Sequence, residues 1–201
     1  MNIASAPPSA SADATIDAAQ VIAATRHWVE RVVIGLNLCP FARAPLVQRR
    51  LHFRVSLARD EDALIDDLRE ELVALHAADP SVRETTLLIH PGALTDFIDY
   101  NDFLEVADAT VQALGFEGEL QIASFHPEYR FADTDADAIE NCTNRSPYPM
   151  LHLLRESSID RAVEAMEDTD EIYRRNIETL RRLGIEGWRA LMRDGGETRE
   201  N

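Results

Sequence analysis

A chain of 201 residues, 45% hydrophobic and 28% charged, has the size and composition of one folded domain that needs no metal or disulfide staple. Twenty basic residues against thirty-six acidic ones leave a net charge of −16, a poor electrostatic match to nucleic acid or to an anionic membrane surface as partner. All twenty basic residues are arginine, which excludes lysine side chains as Schiff-base nucleophile, pyridoxal anchor or P-loop phosphate ligand.

Residues 1–13, built from Ala, Ser and Pro, read as a disordered tail without the basic start or apolar run of a signal peptide. From about Thr15, the spacing of Ala18, Ile22, Trp28, Val29, Val32, Val33 and Leu36 predicts an amphipathic helix that Pro40 ends. Alternation over Leu51 to Leu57 predicts a strand, and Asp60 then caps a helix carrying the stripe Leu64, Leu68, Leu72 and Leu75, with Pro80 as its stop. Thr85 to His90 is a β-rich apolar run cut by Pro91-Gly92, followed by a helix from about Thr95 to Leu114 that Gly115 stops. Leu120 to His126 is a third strand, cut by Pro127, and the segment to Ser146 is polar and without period.

Ser146 with Pro147 and Pro149 suits the start of a helix running through Leu151, Leu153 and Leu154. Two more helices follow, one with Ile159, Val163 and Met166, the other from near Thr169 with Ile172, Ile177, Leu180 and Leu183, capped by Gly184. Residues 194–201 read as a frayed tail, which makes 14–193 one domain. Its expected class is α/β: a small layered sheet of about three or more mainly parallel strands flanked by helices, with a C-terminal helical segment. No stretch approaches the length of a membrane-spanning helix. Cys39 and Cys142 belong to no C-x-x-C pair, so free thiols in a cytoplasm are expected, and the richness in alanine and arginine suggests a bacterial source.

Two of the three predicted strands end in the same dipeptide, His90-Pro91 and His126-Pro127. On adjacent parallel strands both imidazoles would emerge at one edge of the sheet, where ligand sites of open α/β folds lie; the alternative is that each ring only terminates its strand. The long segment after His126 carries Arg130, Asn144, Arg145 and Ser146, with Arg155 beyond it. These side chains, with the N-terminus of the helix expected after Ser146, could clamp a carboxylate or phosphate, or the arginines could pair with neighbouring acids. Cys39, just past the first helix, is expected near the same edge. It could be a nucleophile paired with a histidine, a metal ligand with His90 or His126, a haem thiolate, or a buried thiol acting as a small hydrophobe. Asp133, Asp135 and Asp137 imitate a calcium loop, but Ala138 and Asn144 stand where glycine and glutamate are needed, so no metal ligand is assigned. His27, His52, His76 and His152 read as structural. No G-x-S-x-G, H-E-x-x-H, P-loop or dinucleotide glycine pattern occurs.

The blocks Gly35-Leu36-Asn37-Leu38-Cys39-Pro40-Phe41-Ala42, Leu88-Ile89-His90-Pro91, Asp99-Tyr100-Asn101-Asp102-Phe103-Leu104, Ser124-Phe125-His126-Pro127 and Thr143-Asn144-Arg145-Ser146-Pro147-Tyr148-Pro149, with Leu151-His152-Leu153-Leu154-Arg155-Glu156, are distinctive together. The sequence resembles the bacterial family known as domain of unknown function 1415, over roughly residues 18 to 188. The resemblance implies no activity and no cofactor. It implies no role for Cys142, whose position in the family pattern need not be cysteine, and it includes Cys39 in a matching block.

Two functions fit these observations. One is an enzyme acting on a small anionic metabolite, with His90, His126 and Cys39 in catalytic roles and Arg130, Asn144, Arg145, Ser146 and Arg155 binding substrate. The other is a regulatory module that docks a protein partner through residues 127–150.

Overall fold

The structure, a computed structural model, describes residues 15–164 and 169–193. The expectations for residues 1–13 and 194–201, and for the side chains of Val163 and Met166, lie outside the described residues. Asp17 opens the first helix by accepting hydrogen bonds from the backbone N–H groups of Ala19 and Gln20. That helix, α1 (Ala18–Trp28), continues into a wider π-helical stretch, Val29–Ile34, and a short helix α2 (Arg43–Val47) leads into β1 (Leu51–Val55). There follow α3 (Glu61–Ala77), β2 (Thr85–Ile89), α4 (Phe97–Ala113) and β3 (Leu120–Phe125). Asp60 caps α3 through Ala63 N–H, Asp96 caps α4, and Gly115 beyond α4 takes a left-handed φ of 74°. The chain then forms a short 3₁₀ turn (Ile139–Thr143), a fourth strand β4 (Met150–Arg155) and helices α5 (Glu156–Glu164) and α6 (Thr169–Arg193). Gly184 breaks α6 with φ 70° and ψ 164°, a conformation open to glycine, and the helix resumes beyond it instead of ending there.

The expected helix after Ser146 is therefore a strand. Pro147 and Pro149 hold the residues before them extended, and the apolar run Met150–Arg155 fits a buried strand as well as a buried helix by pattern alone. Position decides between them. The sheet order is β1-β2-β4-β3, so β4 lies between two strands and pairs antiparallel with both, Leu88 opposite Leu151 on one side and Ser124 opposite Leu151 on the other. The class expected from the sequence holds: an α/β fold with one layered sheet, flanking helices and a C-terminal helical segment. The three strands read from the sequence do run in one direction. Because the unread fourth strand enters between β2 and β3, only β1 and β2 form a parallel pair.

Helices α3 and α4 cover one face of the sheet, where Leu64, Leu68, Leu72, Leu75, Tyr100 and Phe103 pack on Leu88, Leu120, Leu151 and Leu153. Helices α1 and α6 cover the other face, where Val21, Trp28, Val29, Val32, Leu180 and Trp188 pack with Val55, Leu87, Ile89 and Met150. This gives three layers and two cores, one on each side of β4. Among the described residues no helix is long and apolar enough to cross a membrane. Leu151 is wholly buried at the centre of this arrangement, whereas Leu57, just past β1, is 65% exposed. Leu151→Ala is expected to cost about 2–5 kcal/mol of stability in urea unfolding. Leu57→Ala is expected to cost under about 0.5 kcal/mol.

Candidate functional site

The two histidines that end β2 and β3 lie on the same edge and the same face of the sheet, under α4. Their strands are not neighbours, as the twin endings suggested, because β4 separates them. Both rings are fully buried and both pack on Tyr100, with centroid distances of 5.9 Å for His90 and 5.0 Å for His126. The Tyr100 hydroxyl closes the end of the β3–β4 ladder: it donates to Met150 O and accepts from Phe125 N–H, each at 2.9 Å. His126 Nδ1 accepts from Glu128 N–H at 3.0 Å, so its proton is on Nε2, facing Leu94 O at 3.3 Å. His90 donates Nδ1–H to Ala93 O at 2.9 Å, and its Nε2 is buried without a partner among the described residues. His126 has both nitrogens on backbone groups, and burial lowers its pKa.

The segment after His126 is ordered by its own polar groups. Asn141 Oδ1 accepts from Phe131 N–H and Thr134 Oγ1, and its Nδ2 donates to Asp135 O. Asn144 donates to Ser124 O, and Ser146 Oγ donates to Tyr148 O. Arg145 donates from Nε to Tyr129 O and from Nη2 to Ala136 O, while its own carbonyl accepts the Trp28 indole N–H at 3.0 Å. The guanidinium lines a shallow groove with Asp96, Phe97, Glu128 and Arg130. With a strand where a helix was expected after Ser146, the helix N-terminus in this groove is that of α4, whose first N–H groups are already taken by the Asp96 carboxylate. Tyr129 and Phe131 are half-buried; Tyr129 is edge-on to Phe97 and to Phe131.

Cys39 and Arg155 sit elsewhere. Cys39, expected near the histidine edge, is on the opposite face of the sheet, because the turn after the π-helical stretch folds back over that face. The donors on Arg155 reach the far side of the sheet, where Nη2 donates to the last carbonyls of α3, Leu75 O and Ala78 O. Among the described residues no group of three His, Cys, Asp or Glu side chains is placed to hold a metal ion.

Cys39 borders a cavity of about 620 Å³ between the sheet and the N-terminal helix. Its floor takes one face of all four strands: Leu51, Thr85 and Leu87, Ala123 and Phe125, His152 and Leu154. Its walls are Trp28, Val29 and Val33, the Cys39–Pro45 turn and α5 with Ser158 and Ile159. At one end stand Arg50, Arg155, Arg161 and a single carboxylate, Glu84. Arg50 Nη1 lies 3.0 Å and Arg161 Nη2 3.9 Å from Glu84, so two cations share this anion and Arg155 stands beside them without pairing to it. Burial and the nearby Arg83 cation hold the Arg155 guanidinium below its usual pKa. Inside, Cys39 is a thiol raised by burial and His152 is a neutral ring pushed down to about 4 by burial.

The family model for proteins of unknown function DUF1415 matches residues 20–190. The chain belongs to that family. No curated protein and no solved structure matches it. The matched region takes in the histidine edge, the long loop and every wall of the cavity.

Sequence reasoning passed over His152 and the other floor residues of β4. The signal was present in the alternation Met150, His152, Leu154, which a strand reading would have placed on one face with Thr85, Leu87, Ala123 and Phe125.

Two outcomes follow for stability. Arg145→Lys is expected to cost about 1–3 kcal/mol in urea unfolding, because lysine lacks the Nε–H and the planar fork that reach Tyr129 O and Ala136 O from separate nitrogens. The buried histidines make the fold acid-sensitive. His90 is pushed down to about 4, chiefly by burial, while in the unfolded chain it titrates near 6.5. Between those values the unfolded state binds the extra proton, so this stability is complete above about pH 6.5 and is lost as pH falls toward 4, by roughly 3 kcal/mol for His90. His152 adds a smaller loss, since its ring borders the cavity. Urea unfolding from about pH 7 to 5, above the main carboxylate range, checks it; a flat profile there contradicts the burial of these rings.

Proposed function

We propose that this protein binds a small molecule with an apolar body and an anionic end in the cavity between the sheet and the N-terminal helix. The observation that carries this reading is the juxtaposition of an apolar chamber of about 620 Å³ with an end where Arg50, Arg155 and Arg161 stand with one carboxylate, Glu84, in a chain of net charge −16. A volume of that size suits a small-molecule ligand, and a positive end in an acidic protein favours an anion at that place over its surroundings. Within the chamber both titratable groups are neutral near pH 7, which supports binding more than nucleophilic attack by Cys39.

The small anion expected at His90, His126 and Arg145 finds less support at that edge. His126 Nε2 and the Nε and Nη2 of Arg145 are committed to backbone carbonyls, and Asn144 and Ser146 are likewise committed. Docking of a protein through residues 127–150 is also less favoured, because Tyr129, Phe131 and Tyr148 are half-buried. We read the protein as a bacterial, cytoplasmic one that engages neither nucleic acid nor membrane. Its free cysteines and negative charge support that reading.

The test is calorimetry and thermal unfolding with naphthoate, octanoate and inorganic phosphate. The two amphipathic carboxylates are expected to bind and raise Tm, and phosphate alone is not. Arg161 is 66% exposed on its side chain, so Arg161→Glu is expected to leave folding intact and weaken the carboxylates about tenfold. Ala123→Leu, which fills the floor, is expected to abolish binding. Phosphate binding as tightly as either carboxylate, or no binding by any probe, would falsify the reading.

A further inference from the structure

His152 places one imidazole in a floor otherwise made by Leu51, Leu87, Ala123, Phe125 and Leu154, with Thr85 beside it. The hydrogen bonds fix how that ring carries its proton. Thr85 Oγ1 lies 2.7 Å from Leu153 O and 2.7 Å from His152 Nε2. A carbonyl oxygen can only accept, so the single hydroxyl hydrogen of Thr85 goes to Leu153, and the hydroxyl oxygen receives Nε2–H from the imidazole. Nδ1 is thereby left as an unprotonated nitrogen with its lone pair in the ring plane. No donor among the described residues bonds to it, and it is not one of the sealed, unpartnered polar atoms of the interior. Its free surface is that of the cavity. Burial keeps the ring neutral down to about pH 4, so in the neutral range this nitrogen stays an acceptor and does not become a donor.

We infer that His152 Nδ1 is the specificity contact of the cavity, and that the preferred ligand carries, besides its anionic end, a hydroxyl or ring N–H donor that meets this nitrogen on the floor. The inference rests on the reading that the cavity is a ligand site, and deepens it from an amphipathic anion to a hydroxylated or N–H-bearing one. A lone acceptor in an apolar chamber discriminates strongly. A ligand with a donor there satisfies both groups, a purely apolar ligand strips water from Nδ1 without replacing it, and an ether or carbonyl oxygen there meets lone pair with lone pair. Thr85 is the positioning residue, since it holds the tautomer by taking the other ring proton.

The experiment uses hydroxynaphthoates with the hydroxyl at different ring positions, each beside its methyl ether, with unsubstituted naphthoate as reference. At least one hydroxynaphthoate is expected to bind about tenfold more tightly than its ether, and that preference is expected to disappear in His152→Phe and to shrink in Thr85→Val. Nitrogen NMR of the ligand-free protein is expected to find His152 as the Nε2–H tautomer throughout the neutral range, a readout that needs neither variant nor ligand. If naphthoate binds but every hydroxyl and ether pair binds alike, the donor contact is wrong while the cavity reading stands. An Nδ1–H tautomer, or a His152 that titrates near 6.5, overturns it directly. Failure of naphthoate itself removes the cavity reading and this inference with it.

Discussion

The fold depends on the pairing of β4 on both sides. The crossovers through α3 and α4 lay β1, β2 and β3 in one direction on one side of the helices, and the second crossover skips a position. Without β4, the facing edges of β2 and β3 would hold two rows of unpaired N–H and C=O groups inside the protein, at a cost of about 1–3 kcal/mol for each buried group left unmet. Met150–Arg155 supplies partners for both rows. It also supplies apolar side chains to both cores, with Met150 on one face and Leu151 and Leu153 on the other, all fully buried.

That one strand organises the polar groups at its two ends. At its start, Tyr100 reaches from α4 to its first carbonyl and to β3, and the histidines ending β2 and β3 pack against the same ring. At its end, Arg155 reaches over to the carbonyls that close α3. The loop that leads into β4 is held by Asn141, Asn144, Ser146 and Arg145 on backbone partners, so its polar composition is spent on aiming the strand into its slot. Asn141, Asn144 and Arg145, which make this loop look like a binding surface, hold backbone groups of the protein itself.

The cavity is the counterpart of this economy. On the face away from α3 and α4, the sheet floor is wider than the helices above it cover. The space under the Cys39–Pro45 turn and α5 is left to small and apolar side chains, with His152 as the ring that breaks the apolar floor. Arg50, Arg161 and Glu84 belong to segments far apart in sequence and meet only because the strands start at that edge and α5 leaves β4 there. A positive end in a strongly acidic protein arises from this meeting.

Local chemistry in the sequence was sufficient for the parts whose signals are local. Asp60 before the leucine stripe determined α3, Gly115 marked the end of α4, and the apolar runs at Thr85 to His90 and Leu120 to His126, each cut by a proline, determined two strands. Charge and the absence of lysine bounded the chemistry in the same way, since composition does not depend on the fold. The quoted blocks were enough to place the chain in its family. What the sequence could not determine was Met150–Arg155, because a short leucine-rich run buries equally well as helix or strand. Only the unfilled backbone of β2 and β3, contributed from sixty and thirty residues away, decides between them. The placement of His152 and Arg155 depended on the same choice, and that of Cys39 on how the turn after the π-helical stretch folds over the sheet. Which face a strand residue occupies follows from its register, and register is a property of the assembled sheet.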